Sequence, residues 1–269
     1  MILAIDIGNT TTSFGVFEQG RLKAQFAIAT QPWRTPDEVT LQLKALAKSR
    51  RLHLSRAKQI ILCSVVPRMS SVLTETLKTL RTSPVRIVGQ DLAVPLKNRY
   101  TYPEQVGQDR LVGAYAAWKL YKSACIVADF GTAITIDVVT KAGEYLGGVI
   151  APGLEISLEA LAMKTALLPK VELRQPPELL GRDTANSIRS GILYGCVALC
   201  DGLVTQLKQH YAPRAAVVAT GGASALIAKH ARTIDHLKPH LVLEGLNQLS
   251  SGIIPMTQQG KQRTKEAHG

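Results

Sequence analysis

Cysteine is sparse: four residues, at positions 63, 125, 196 and 200, stand in a chain of 269. Thiols so few and so scattered cannot form the disulfide framework of a small secreted domain. Their apolar neighbours suit reduced, buried side chains in a cytoplasmic protein. Cys196 and Cys200 stand i, i+4 on an expected helix, but no histidine or further cysteine lies at ligand spacing beside them, which argues against a metal pair. Long apolar runs are missing too. The stretch 60–66 is interrupted by Ser64 and is far too short to cross a bilayer. The N-terminus is apolar from the start, has no basic segment and meets Asp6, so it reads as a buried first strand and not as a secretion signal. No membrane association is expected. Two nucleotide signatures are also absent: there is no Gly-x-x-x-x-Gly-Lys-Ser/Thr and no Gly-x-Gly-x-x-Gly. The first absence excludes a Walker-type P-loop, and the second argues against a dinucleotide fold.

Acidic residues are the other scarce class. Asp and Glu number 20 against 32 Lys and Arg, for a formal net charge of +12. The excess lies in residues 1–118 and 205–269, with the middle of the chain close to neutral. Its densest run is Lys44, Lys48, Arg50, Arg51, Arg56 and Lys58, with no acid among them. Such a patch is the usual footprint of polyanion binding. No aromatics interleave here and no nucleic-acid motif is present, so a solvated helix face and its following loop is the preferred reading. Nucleic acid is not an expected partner. The chain is 46% hydrophobic and 19% charged, which excludes disordered and collagen-like classes. At roughly 100–200 residues per domain, the length suits one large or two modest domains.

An internal repeat is present. Asp6-Ile7-Gly8-Asn9-Thr10 is followed by an alternating run at 13–17, a turn at Gln19-Gly20 and a second run at 22–28. Asp129-Phe130-Gly131-Thr132 is likewise followed by a run at 134–139, a turn at Ala142-Gly143 and a run at 145–150. Each copy reads as a strand ending in Asp-x-Gly-polar, a return strand, a turn and a third strand. Helical patterns at 36–48 and 70–80 flank strands at 59–65 and 85–88 in the first half. In the second half, helices at 155–163, 183–210, 223–231 and 245–252 accompany a strand at 215–220. Three antiparallel strands followed by helix–strand–helix, made twice, predict an α/β architecture of two similar domains around a shared cleft. The expected domains are 1–118 and 119–255, joined through a helix at 108–121, with 256–269 as a mobile basic tail.

A strand-end loop with Asp, Gly and Asn or Thr has a physical use. Glycine lets backbone N–H groups approach a phosphate, hydroxyl and amide donors complete the cradle, and the carboxylate can hold a cation that binds phosphate. One such loop is an ordinary turn. Two at matching points of a repeat, with Gly221-Gly222 after an apolar strand, point to a nucleotide triphosphate clamp. This arrangement resembles the superfamily of sugar kinases, heat-shock-type ATPases and actin, whose members share duplicated RNase-H-like domains around a central nucleotide cleft.

Next come Asn98-Arg99-Tyr100 and Gly107-Gln108-Asp109-Arg110, the latter opening a helix. Asp109 in a first turn is either a carboxylate favoured by the helix dipole or a general base for an attacking hydroxyl. Arg110 can hold a substrate carboxylate or a developing phosphoryl charge.

With these motifs the resemblance narrows to the type III pantothenate kinases. It runs from residue 1 to about 254 and also rests on Gly147-Gly148-Val149-Ile150-Ala151-Pro152-Gly153, Thr165-Ala166-Leu167-Leu168-Pro169 and Gly181-Arg182-Asp183-Thr184. The resemblance implies ATP-dependent phosphorylation of pantothenate, the first step of coenzyme A biosynthesis, with Asp109 as proton acceptor. It implies ATP phosphate binding by Asp6, Ile7, Gly8, Asn9, Thr10, Thr11, Thr12 and Ser13, with Asp6 near Mg²⁺, and a nucleotide contact by Thr132. It implies pantothenate contacts by Tyr100, Gly107, Gln108, Asp109 and Arg110, and a monovalent cation, K⁺ or NH₄⁺, at Asp129. Thr184 corresponds to a pantothenate contact supplied by the second subunit of a homodimer. Asp183 departs from the family pattern, in which that position is often uncharged, and as an extra carboxylate it would weaken substrate binding or pair with Arg182.

Two other readings compete: a non-catalytic regulator, since some proteins of this family carry a transcription accessory label, and another small-molecule kinase on the same fold. The intact set Asp6, Asp109, Arg110, Asp129 and Thr132 argues against lost catalysis. The six histidines fall in no motif and are expected at the surface or as caps, and Trp33 and Trp118 are expected to pack.

Overall fold

The computed structural model describes residues 1–80 and 83–251. The expected tail at 256–269 lies outside the described residues. Two compact units divide the chain: Met1–Pro95 with the described residues from Leu246, and Leu96–Gly245.

The first unit opens with β1 (Ile2–Ile7), β2 (Thr11–Glu18) and β3 (Arg21–Ala29), an antiparallel meander. Helix α1 (Pro36–Ser49), β4 (Gln59–Ser64), α2 (Pro67–Thr79) and β5 (Val85–Ile87) follow. β4 and β5 add in parallel, for the order β3-β2-β1-β4-β5. β1 is central: Leu3, Ala4, Ile5 and Ile7 are all fully buried, so both of its faces are covered. α1 starts where Thr35 and Glu38 form a reciprocal capping box ahead of Pro36, and its Val39 and Leu43 enter the core with Phe14, Phe26 and Leu73.

The second unit begins with the short β6 (Lys97–Asn98), then α3 (Gln108–Tyr121), β7 (Cys125–Phe130), β8 (Ala133–Val139) and β9 (Glu144–Pro152). Helices α4 (Leu154–Lys164) and α5 (Thr184–His210) precede β10 (Ala216–Thr220), α6 (Ser224–Ala228), β11 (His236–Leu237) and α7 (Leu241–Ser251). The sheet order β11-β10-β7-β8-β9-β6 repeats the first unit's order, with β6 added beside β9. The duplication read from the two Asp-x-Gly motifs is therefore a duplication of topology. In each copy the strand ending in the aspartate is flanked by an antiparallel neighbour on one side and a parallel one on the other.

The division falls before residue 96 and not near 118. β6 hydrogen-bonds to β9, and α3 packs on β7 and β8, so 96–118 belong with the second sheet. β6 and β11 span two residues each and carry no periodicity for a sequence reading to detect. α6 is shorter than the expected 223–231, and α7 starts four residues before the expected 245. All four cysteines are free and buried. Trp118 packs as expected, its indole Nε1–H donating to the Lys141 carbonyl at 3.0 Å beside the Gly143 turn. Trp33 does not: it is 69% exposed. His230 departs too, half-buried against Tyr194 and neither a surface residue nor a cap. α5, at 27 residues, is long and apolar enough to span a bilayer, which no unbroken apolar run announces because Arg189, Asp201 and other polar residues interrupt it. Its Leu193, Cys196, Val197, Cys200 and Val204 form part of the second core.

Candidate active site

In the first unit the β1–β2 turn carries the expected phosphate loop. The Gly8 amide donates to the Thr11 carbonyl at 3.0 Å and closes a tight reversal. The Thr30 hydroxyl donates to the Gly8 carbonyl at 2.8 Å and lies 2.9 Å from the Thr12 hydroxyl, while the Thr30 amide donates to the Thr10 carbonyl at 2.9 Å. The turn is thus held by the strand β3 end from behind. Ile7 and Thr12 are fully buried, so neither presents its side chain to a ligand. Asn9, Thr10 and Thr11 are exposed, and Asp6, Gly8 and Ser13 half-buried. Thr30 had no motif to reveal it.

In the second unit α3 begins at Gln108 after Gly107, which offers no side-chain cap. Asp109 supplies that function from inside the first turn: its Oδ1 accepts the Arg110 amide at 2.8 Å. The capping reading of Asp109 is therefore realised in the structure. Burial raises its pKa above the ordinary aspartate value, Asp137 adds to the rise, and the Arg110 amide opposes it.

Arg110 is held from below. Its Nη2 donates to Asp137 Oδ1 at 2.6 Å and its Nε to the same oxygen at 3.1 Å. Asp137, from β8, is 2% exposed and also accepts from the Tyr145 hydroxyl at 2.7 Å and the Thr135 hydroxyl at 3.2 Å. Burial by itself would favour the neutral guanidine, but the hydrogen bond and charge of Asp137 outweigh it and keep Arg110 firmly cationic. Nη1 takes no part in this pair. Asp137 and Tyr145 were invisible in the sequence, where they read as alternating members of strands β8 and β9.

Tyr100 reaches the same place. Its amide donates to Asn98 Oδ1 at 3.0 Å, and its ring lies against Gly147, where an added Cβ would stand 3.2 Å from the ring. Gly147 has φ +119°, so a side chain there is excluded by backbone and ring alike. Gly148 pairs with Asp137 across β8 and β9. The expected substrate residues Tyr100, Gly107, Gln108, Asp109 and Arg110 thus gather at one end of α3 and the middle of β9.

Asp129 stands one residue before the end of β7, in register with Thr220 of β10. The chain then turns at Gly221, φ +90°, where a Cβ would come within 2.3 Å of Asp129 Oδ1. The Ala223 amide ties this turn to the Phe130 carbonyl at 3.1 Å. The two glycine motifs of the second half, apart in sequence, therefore form one loop pair, with Thr132 half-buried beside it. Burial pushes the Asp129 carboxyl up to about 7, with Asp109 and then Asp137 contributing. Among the described residues no group of three or more His, Cys, Asp or Glu side chains forms a metal cage.

A stability consequence follows from the Asp129 shift. A carboxyl whose pKa is higher folded than unfolded costs stability as pH rises from about 4 to about 7, because the folded state must give up a proton it favours. Asp129→Asn is expected to melt above the parent at pH 8 in tetramethylammonium buffer, with the gap closing toward pH 4. A thermal-melt series that shows no such convergence contradicts the shift.

Thr184 is exposed in the first turn of α5. Among the described residues no hydrogen bond joins it to Asp109, Arg110 or Tyr100. Asp183 neither pairs with Arg182 nor stands as a loose charge. It caps α5, its Oδ1 accepting the Asn186 amide at 2.8 Å, and Arg182 pairs with Glu178 instead at 3.3 Å.

The sequence profile of the family described as Type III pantothenate kinase matches residues 2–206. The chain belongs to that family. It is an enzyme, a kinase acting on pantothenate. A type III pantothenate kinase of Moorella thermoacetica is 41% identical over 247 residues, covering 91% of this chain and 97% of its own. That of Rubrobacter xylanophilus is 42% identical over 255 residues, covering 93% and 97%. Among solved structures, one described as a Baf family transcriptional activator from Campylobacter jejuni superposes on the kinase with TM-score 0.59 at 18% identity, covering 93% of this chain and 98% of that one. The Acidaminococcus fermentans (R)-2-hydroxyglutaryl-CoA dehydratase component A does so with TM-score 0.53 at 13% identity, covering 94% and 96%. At these identities the structural likenesses establish the duplicated RNase-H-like fold of the kinase and nothing about its chemistry.

Proposed function

We propose that the protein transfers the γ-phosphoryl group of ATP to the primary hydroxyl of pantothenate in the cytoplasm, with Asp109 as general base. The carrying observation is the pairing at the start of α3: a desolvated carboxylate of raised pKa beside a guanidinium locked by Asp137. Asp109 accepts the hydroxyl proton, the oxygen bonds to the γ-phosphorus, and the bond to the β-bridging oxygen breaks to leave ADP. Positioning and charge neutralisation carry most of the rate in such a transfer. Arg110 presents Nη1 to the pantothenate carboxylate, Tyr100 lines its body, and the exposed donors of Asn9, Thr10 and Thr11 meet the nucleotide phosphates. Thr132 contacts the nucleotide.

The donor sets suit the two cations of the reaction. Asp6 is a single half-buried carboxylate, which suits Mg²⁺ held chiefly through phosphate oxygens. Asp129 is a carboxylate crowded by two others, which suits a monovalent cation such as K⁺ or NH₄⁺. When bound, these ions offset the negative charge of phosphates and carboxylates.

A homodimer with Thr184 completing the partner's pantothenate site accords with the apolar surface of 150–180. Ile150, Met163, Leu167, Leu179 and Leu180 are each more than 60% exposed, more large apolar surface than one segment of a monomer usually leaves in water. Thr184→Ala is expected to raise KM for pantothenate far more than KM for ATP. Equal increases in steady-state assays count against that contact.

The deciding experiment is ADP release from purified protein with ATP, Mg²⁺ and pantothenate, in potassium and in sodium buffer. Turnover that requires pantothenate and potassium supports the whole reading. No turnover in either buffer from folded protein refutes it.

A further inference from the structure

The basic run that the catalytic reading leaves unused surrounds a cavity. Lys44, Lys48, Arg51, His53 and Ser55 stand around a concavity of about 500 Å³ floored by Ala47, Leu52, Leu54 and Leu80. Ala47 and Leu54 are buried, and among the described residues no acidic side chain lines the wall. Among the described residues, none of Lys44, Lys48 and Arg51 forms an ion pair.

The cavity sits at the far end of the first sheet from the phosphate loop. The Lys58 amide donates to the Met1 carbonyl, at the start of β1, whereas Asp6 to Thr10 lie at its end. α1 begins beside that loop, following Thr30, and runs about 20 Å to its C-terminus at the cavity.

The backbone there turns sharply at the end of α1. α1 closes with the Leu52 amide donating to the Ala47 carbonyl at 2.8 Å and the Arg51 amide to the Lys48 carbonyl at 3.1 Å. This is the helix-ending pattern that ordinarily places glycine in the left-handed position. Arg51 occupies that position at φ +55°. The helix dipole accounts for one cation in the last turn, Lys48. It accounts neither for an arginine in a conformation that glycine favours nor for an apolar floor beneath three unpaired cations. Strained residues gather where ligands are held.

We infer that this cavity of the first unit is a binding site for a small anionic amphiphile: a carboxylate or phosphate head against Lys44, Lys48 and Arg51, and an aliphatic body on Ala47, Leu52, Leu54 and Leu80. The volume suits one such molecule. This inference is independent of the catalytic residues.

The test is titration of the full-length protein with octanoate, octyl phosphate, octylammonium and inorganic phosphate, followed by calorimetry and by amide chemical shifts. One equivalent of octanoate or octyl phosphate is expected to bind, with shifts centred on 44–55, and the tighter of the two identifies the head group. Octylammonium should bind at least about tenfold more weakly, as charge-assisted contacts require. Arg51→Gly removes the guanidinium while suiting the left-handed backbone, so it should keep or raise the melting temperature, leave pantothenate turnover unchanged and weaken both anions about tenfold. Lys48→Gln should weaken them in the same direction. The inference is overturned if octylammonium binds as tightly as octanoate or inorganic phosphate as tightly as octyl phosphate. It is equally overturned if Arg51→Gly and Lys48→Gln both bind like the parent, or if no anionic amphiphile saturates.

Discussion

Asp109→Asn is expected to lower kcat by about 10²–10⁴-fold, the range in which a positioned general base contributes. The fold should survive, because asparagine keeps the acceptor that takes the Arg110 amide and preserves the start of α3. Removing one of two like charges also eases the burden on Asp129, whose pKa Asp109 raises, so the melting temperature should hold or rise. A merely structural role predicts the opposite pattern: normal turnover and a lower melting point. The parent's acid limb provides a second check. Because burial raises the Asp109 pKa, kcat/KM should begin to fall at a higher pH than an ordinary aspartate would give, and that limb should vanish in the variant. Near-parental turnover in Asp109→Asn would end the case for this base.

Asp137→Leu is expected to be the most destabilising single change in the second unit. The Arg110 side chain is 10% exposed and its partner 2% exposed, so the variant strands a guanidinium in a largely dry site. Loss of one member of a buried pair costs about 3–5 kcal/mol, most of it the penalty of the charge left behind. The Tyr145 hydroxyl, fully buried, loses its acceptor as well. A double variant separates stability from positioning. Arg110→Met with Asp137→Leu removes both charges and should recover much of the melting temperature, since buried pairs replaced by apolar groups are often near neutral. Its KM for pantothenate should stay high, because the guanidinium proposed to bind the pantothenate carboxylate is gone. If the double variant is as unstable as Asp137→Leu, the ion pair is not what the site rests on.

Both variants turn on a residue pair of unequal legibility. Asp109 stands in a motif, after a glycine and before an arginine, at the start of an apolar helix. Asp137 stands in Ile-Thr-Ile-Asp-Val-Val, where alternation assigns it a face of β8 and nothing marks it as charged and buried. Its role depends on Arg110, 27 residues away, and on Tyr145 in the next strand. Such a pair is written in register and not in composition. Gly221 is similar: adjacent to another glycine it reads as a turn, and only the β7–β10 pairing brings it against Asp129.

The sequence by itself determined the duplicated α/β architecture, the two aspartate-glycine loops, the start and end of α3 and the family. These are local features: alternation, capping residues and turn chemistry act within a few residues of one another, and each copy repeats them. Tertiary structure alone decided where the units divide, because a two-residue strand at 97–98 joins β9 by hydrogen bonds that no periodicity announces. It also decided that Asp183 caps a helix, that Ile7 and Thr12 are fully buried, and that Arg110 is clamped by Asp137. In each case the deciding partner is brought near by sheet pairing or burial, and the free energy of a buried charge or an unpaired donor depends on that partner more than on the residue's own neighbours in the chain.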